Sequence, residues 1–273
     1  MSGLPLAGGR VSPYRAVLAS RVRAQRSYRT GFALDLFGSL LIGVTEFAEV
    51  WVIFHNVEVL GGLDFHAILV LFGLSNLAFS LADLLVGHLD TLPTYVRAGT
   101  LDAFYLRPQP LLAQLVTSEV DLRRISRIGV AGTALVSGLV LEDVSYGPRE
   151  LTLLAIAIVF GTAIFAGLFV CAASLQFFLI NGSELTNSFT YGGSYAAQQP
   201  TAIFPRPLKL LFGYLIPVAF TAYLPTLALL GLPGPAGLPA WLAWLTPVAA
   251  GWVWLVGMLL WRWGTRHYQV GGG

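Results

Sequence analysis

The chain has 273 residues, of which 56% are hydrophobic and only 11% charged. Soluble domains carry about 45–50% apolar and about 25% charged residues, so composition excludes a soluble enzyme, a disordered chain and a nucleic-acid binder. A net charge of +2 offers nothing to a polyanion, and a single cysteine, Cys171, excludes a disulfide framework.

Residues 1–30 hold six arginines, Arg10, Arg15, Arg21, Arg23, Arg26 and Arg29. From Pro13 to Thr30 the apolar residues Tyr14, Val17, Leu18, Val22 and Tyr28 recur at helical spacing, which suits an amphipathic helix lying in the headgroup layer; a basic topogenic tail with no fixed structure is the alternative. A secretory signal is not expected, because no short apolar core with a small-residue cleavage site follows.

A crossing helix needs about 20 mainly apolar residues. Six stretches qualify: 31–53, 66–86, 122–141, 151–179, 208–231 and 241–263. The fourth is long enough to tilt or project. The fifth carries Pro217 and Pro225, each removing a backbone hydrogen bond and favouring a kink. No ten-residue segments alternate with a period of two, which excludes a β-barrel. The expected fold is all-α: six transmembrane helices in one domain over 31–263, with a short tail at 264–273.

Fifteen of the sixteen basic residues fall on one side of this topology, Arg149 alone on the other. Lys and Arg accumulate in cytoplasmic loops, so both termini are expected in the cytoplasm. The outer loops, 55–65, 142–150 and 232–240, are then short. The inner ones, 87–121 and 180–207, are larger and are where a protein partner would be met.

Within the spans, Glu46 and Glu49 share one face of the first helix, toward its outer end. They mark a polar pathway or a site for a cation, or else reach the outer interface or pair with another helix. Gln176 is a candidate helix–helix hydrogen-bond donor. Two stripes of small residues, Gly129/Thr133/Ser137 and Ala163/Gly167/Cys171, permit close helix packing within or between chains. No Gly-rich loop ends in Gly-Lys-Ser/Thr, and the only lysine is Lys209. The histidines lack His-Glu-x-x-His spacing, and Ser194 lacks the Gly-x-Ser-x-Gly frame. No catalytic site is expected.

The second connection reads Gly99-Thr-Leu-Asp-Ala-Phe-Tyr-Leu-Arg-Pro108. Its residues suit a short amphipathic helix that stops at Pro108 and whose apolar side chains another surface would cover. This stretch resembles the permease subunits of type-2 ABC exporters, in the six-span multidrug-efflux-like branch. There the connection reads Gly-x-Leu-Asp, two or three apolar residues, then Leu-Arg-Pro. A second match runs from Ser183-Glu184-Leu185 through Tyr191-Gly192-Gly193, Gln199-Pro200 and Ile203-Phe204-Pro205 into Ile216-Pro217 and Tyr223-Leu224-Pro225. Trp261-Arg262-Trp263-Gly264, with Arg266 and Tyr268, also looks like the family ending.

The resemblance implies one half of a transport machine. Two permease chains, identical or related, would form the pathway, and separate ABC ATPase subunits would bind ATP and Mg; this chain would hold no cofactor. Residues 96–106 would be the coupling helix. Arg97, Asp102 and Arg107 would make salt-linked contacts, and Leu101, Phe104 and Tyr105 would be apolar anchors. The N-terminal helix would be the elbow helix. Efflux of a hydrophobic or amphiphilic compound across a bacterial inner membrane is the expected task. An ion-coupled secondary transporter and a non-transporting scaffold are the alternatives.

Overall fold

The computed structural model describes residues 29–118, 124–142, 147–179, 183–235 and 237–268. The expected elbow helix thus lies outside the described residues, apart from its last two. The helices are α1 (Arg29–Asn56), α2 (Phe65–Val86), α3 (Leu92–Arg97), α4 (Asp102–Tyr105), α5 (Leu111–Ser118), α6 (Ile125–Leu141), α7 (Pro148–Leu175), α8 (Ser183–Ala197), α9 (Arg206–Leu210), α10 (Tyr223–Leu229) and α11 (Thr246–His267). No named strand occurs among the described residues; an isolated Leu60–Leu63 bridge closes the tip between α1 and α2. The fold is all-α.

The bundle is organised around α2. Asp64 caps its start, its carboxylate accepting from the Ala67 amide at 2.9 Å. From Ala67 to Asp83 nearly every side chain is buried. A helix apolar on all sides belongs in the interior. It meets α6 at two glycines that let backbones touch: a Cβ at Gly73 would fall 2.5 Å from Leu135 Cα, and one at Gly138 would fall 2.7 Å from the Val70 nitrogen. On the other side lies α7, which packs in turn on α11 through Gly167, Gly257 and Gly264. There the Trp254 indole donates to the Ala163 carbonyl at 2.9 Å. The Ala163/Gly167/Cys171 stripe is therefore spent inside the chain. The other stripe is open: Gly129, Thr133 and Ser137 line a shallow groove beside Leu40, Val44 and Phe47 of α1.

Among the described residues three helical stretches are long and apolar enough to cross a membrane: Phe65–Arg97, Pro148–Leu175 and Ala240–His267. The fourth predicted span ends at Leu175 rather than at 179, the chain turning at Gln176–Phe178.

The fifth predicted span is corrected. Residues 206–229 are not a straight crossing: α9 winds into a π-turn at Leu211–Leu215, the chain breaks at Ile216–Pro217, and the two halves are bent by 69°. Pro217 has no N–H to continue the ladder, and Ile216 bonds back five residues to Leu211 at 2.8 Å. Pro225 makes no kink; it is third in α10, where the N–H it lacks would have had no helical partner.

The pair is a hairpin that enters and leaves at one end. Before it, Pro200 and Ile203 pack on Gly61, and Gly213 packs on Leu238, both in loops at the Leu63 end of the bundle. At its tip Leu215 and Ile216 reach the depth of Cys171, Phe189 and Leu260. It then climbs back past Gly161, beside the Thr221 carbonyl, toward Leu232.

The lengthwise element before the hairpin is instead α8, which the sequence places in a connection. Tyr191 bonds Asp90 beyond the end of α2, Gln198 bonds Asn76 at its middle, and Pro200 reaches Gly61 at its start. Arg206 and Lys209 therefore lie at the end of the bundle that holds Arg149, opposite Arg124 and Arg97. Among the described residues the basic tally is seven (Arg29, Arg97, Arg107, Arg124, Arg127, Arg262 and Arg266) against three (Arg149, Arg206 and Lys209).

Candidate functional site

The segment between α2 and α6 sits at the Arg124 end. It is two short helices rather than one coupling helix over 96–106. α3 stops at Arg97, Gly99 takes φ +66°, and α4 starts at Asp102. The left-handed turn at Gly99 suits glycine, and it lets the Thr100 and Leu101 amides both bond the Tyr95 carbonyl, at 3.1 and 3.2 Å. Leu101 is wholly buried, in one cluster with Phe79, Leu92, Leu115 and Phe169. The expectation that Leu101 anchors a partner is thus corrected: it anchors the segment to its own bundle.

Further contacts fix the fold of this segment. Gln114 donates to the Phe104 and Gln109 carbonyls at 3.1 and 2.7 Å. Phe104 stands edge-on to Tyr95 at 5.4 Å, and the Tyr95 hydroxyl meets His88 Nε2 at 2.9 Å. Asp102 turns inward and accepts the Tyr268 hydroxyl at 2.9 Å, while Tyr105 stacks flat on the Tyr268 ring. Burial pushes the Tyr268 hydroxyl up to about 12, with the Asp102 carboxylate adding to the effect. Burial followed by Asp102 raises Tyr105 as well.

What remains on the surface is Arg97, Thr100, Ala103, Leu106, Arg107 and Pro108, with Tyr105 partly covered. The Arg107 guanidinium sits 5.7 Å over the Phe104 ring. Leu106 is 87% exposed, the highest of any large hydrophobic side chain described. It was not among the expected anchors. The signal was its place beside Arg107 on a helix too short to hide both.

A polar seam runs along α8 into the bundle. Glu46 of α1 pairs with Arg127 of α6 at 2.9 Å, and that guanidinium also lies 5.7 Å over the Phe79 ring. Glu49 accepts from the Tyr195 hydroxyl at 3.0 Å. Asp90 accepts from Tyr191 at 2.8 Å, and Gln198 Nε2 donates to Asn76 Oδ1 at 3.2 Å. At the mouth, Arg124 pairs with the Asp83 carboxylate at 2.8 Å and also donates to the Asp83 carbonyl. Glu46 and Glu49 thus come together with residues of α6 and α8 rather than with the outer loop. Gln176 is apart from them, buried in the turn after α7 beside Phe177.

Among the described residues no three of His, Cys, Asp and Glu gather as metal ligands would. The arrangement supplies an outward-facing edge at the Arg124 end and a polar seam between α1, α2, α6 and α8.

A model of the family described as ABC-2 family transporter protein matches residues 40–272. No curated protein and no solved structure matches the chain. With well over half its length covered, the chain belongs to the ABC-2 transporter family. It is a multi-pass membrane permease subunit of an ABC transporter, a family whose members work with an ABC ATPase.

Proposed function

We propose that this ABC-2 family chain is half of the membrane pathway of an exporter and that the edge formed by α3, α4 and the turn at Gly99 seats on a separate ATPase subunit, which binds the ATP and Mg. The observation that carries this is Leu106 and Arg107 standing outward on a segment whose every other large apolar side chain is tied to the bundle. In this reading the exposed Leu106 and the neighbouring Arg107 form part of the contact with that partner.

The rest of the proposal follows from placing that edge in the cytoplasm. Among the described residues seven basic side chains then lie inside and three outside. Six crossings result, by α1, α2, α6, α7, α8 and α11, with the α9–α10 hairpin entering from outside. Both termini are cytoplasmic, and the membrane is the inner membrane of a bacterium. A second permease chain, a copy or a relative, completes the pathway. Glu46, Glu49 and Gln176 belong to its polar parts, with Glu49 the most open of the three. The cargo is a hydrophobic or amphiphilic compound. ATP-driven closure of the ATPase pair moves the docking edges and re-packs the helices behind them.

The test is Leu106→Asp with Arg107→Glu in the full chain. Both side chains are exposed, so membrane level and melting should be unchanged, while co-purification with the cognate ATPase subunit falls at least tenfold. Retained co-purification at wild-type level refutes the assignment.

A further inference from the structure

Tyr268, the first residue after α11, joins two parts of the molecule that are 166 residues apart in sequence. Its hydroxyl donates to Asp102 at 2.9 Å, and its ring lies parallel to Tyr105, with centroids 5.7 Å apart and planes at 5°. On its other side Phe177 meets it edge-on at 6.0 Å, and Phe177 is packed on Trp261 at 5.5 Å. A chain of rings therefore runs from the docking edge to the ends of α7 and α11. α4 needs this support. It has four residues and no side-chain cap, too little helix to hold its own shape. Leu101 pins its start and Gln114 its end, but among the described residues the contacts of Asp102 and Tyr105 reaching outside the segment are to Tyr268.

Resting on the docking assignment above, we propose that Tyr268 is a positioning residue for coupling: it locks α4 to the foot of α11, so that movement of the docking edge is delivered to α11. From there the close α7–α11 packing at Gly257 and Gly264 carries it into the bundle. The ring stack resists shear between α4 and α11, and the hydrogen bond fixes register. A docking segment tied only by its loop would absorb the same movement.

The experiment compares Tyr268→Phe, Asp102→Ala and Asp102→Asn in the full-length permease. In the permease alone, hydrogen exchange at the amides of residues 99–107 should rise about fivefold in Tyr268→Phe and Asp102→Ala. Asp102→Asn, whose amide oxygen still accepts, should rise less, and Tyr268→Phe with Asp102→Ala together should add little to either alone. In the complex with the cognate ATPase, the ATP-dependent change in maleimide labelling of Arg262→Cys, on a Cys171→Ala background, should shrink about fivefold in Tyr268→Phe. ATPase co-purification should stay within twofold of the parent.

Wild-type exchange and labelling in Tyr268→Phe overturn the proposal, even where the Leu106→Asp/Arg107→Glu variant has lost the ATPase. Loss of membrane insertion in Tyr268→Phe also overturns it, because the residue is then structural. The docking assignment fails separately, when the Leu106→Asp/Arg107→Glu variant keeps the ATPase.

Discussion

Replacing Gly73 by alanine tests the central helix contact, and the geometry sets the size of the effect. The added methyl would fall 2.5 Å from Leu135 Cα and 2.7 Å from its Cβ, backbone-anchored atoms that cannot rotate away. Carbon atoms pack at about 3.5 Å, so α2 and α6 must part by about 1 Å, which forfeits up to about half of each dispersion contact along the seam. Overpacking of this kind costs about 1–3 kcal/mol, partly offset by up to about 1 kcal/mol of helix propensity gained over glycine. Gly129, in the facing helix α6, is the control: nothing lies within 4 Å of its added Cβ. Gly129→Ala keeps the propensity gain without the clash, so the gain cancels and the two variants should differ by the overpacking cost, about 1–3 kcal/mol. At about 2–4 °C per kcal/mol this separates their melting midpoints by about 2–12 °C. Tryptophan fluorescence on detergent-solubilised protein at one scan rate reads it. Equal midpoints would refute the close α2–α6 approach.

Three further outcomes are expected. Arg127→Ala leaves Glu46 without its cation in a half-buried position and should cost about 2–4 kcal/mol; Glu46→Gln with Arg127→Gln should recover most of this, so that additive losses in a double-mutant cycle would count against the pair. Glu142, at the end of α6, titrates above the usual carboxylate value, first through burial and then through nearby Asp64. A raised folded value means its favourable contribution is present below the unfolded value and is lost as pH rises through the folded one; Glu142→Gln should therefore flatten the fall in stability as pH rises above the ordinary carboxylate value, read as a smaller pH shift in the melting midpoint. Finally, on a Cys171→Ala background, cysteines at Arg206 and Lys209 should react with a membrane-impermeant maleimide from the same side as one at Gly62, and labelling from the side of Gly99 would overturn the hairpin.

The composition made an all-helical membrane fold plain, and five of the six predicted spans fall on helices among the described residues, three of them long and apolar enough to cross a membrane. The exception has a clear cause. Hydropathy measures a segment against lipid, whereas polar side chains of α8 and its end find partners within the protein: Tyr191, Tyr195 and Gln198 bond Asp90, Glu49 and Asn76, and the segment carrying them reads as a loop. Residues 208–231 score as a span because they are apolar, and only the break at Pro217 turns them back. The segment proposed to dock was legible in Gly99, Pro108 and the residues between them. Which of those side chains face outward was not, because the turn at Gly99 resets the helical phase and turns Leu101 inward while leaving Leu106 out. The tie to Tyr268 spans 166 residues and leaves no local pattern to find.

The polar character of α8 also bears on how the chain enters the membrane. A segment carrying Ser183, Glu184, Asn187, Ser188, Ser194 and two tyrosines gains little by moving from the insertion machinery into lipid on its own. Its partners lie on α1 and α2 and the turn that follows them, which are synthesised more than ninety residues earlier. Those helices must already be assembled beside the site of synthesis when α8 emerges, since they offer the hydroxyl and amide groups their counterparts. On the proposed topology the first helices thus supply the polar partners that α8 meets as it leaves the insertion machinery.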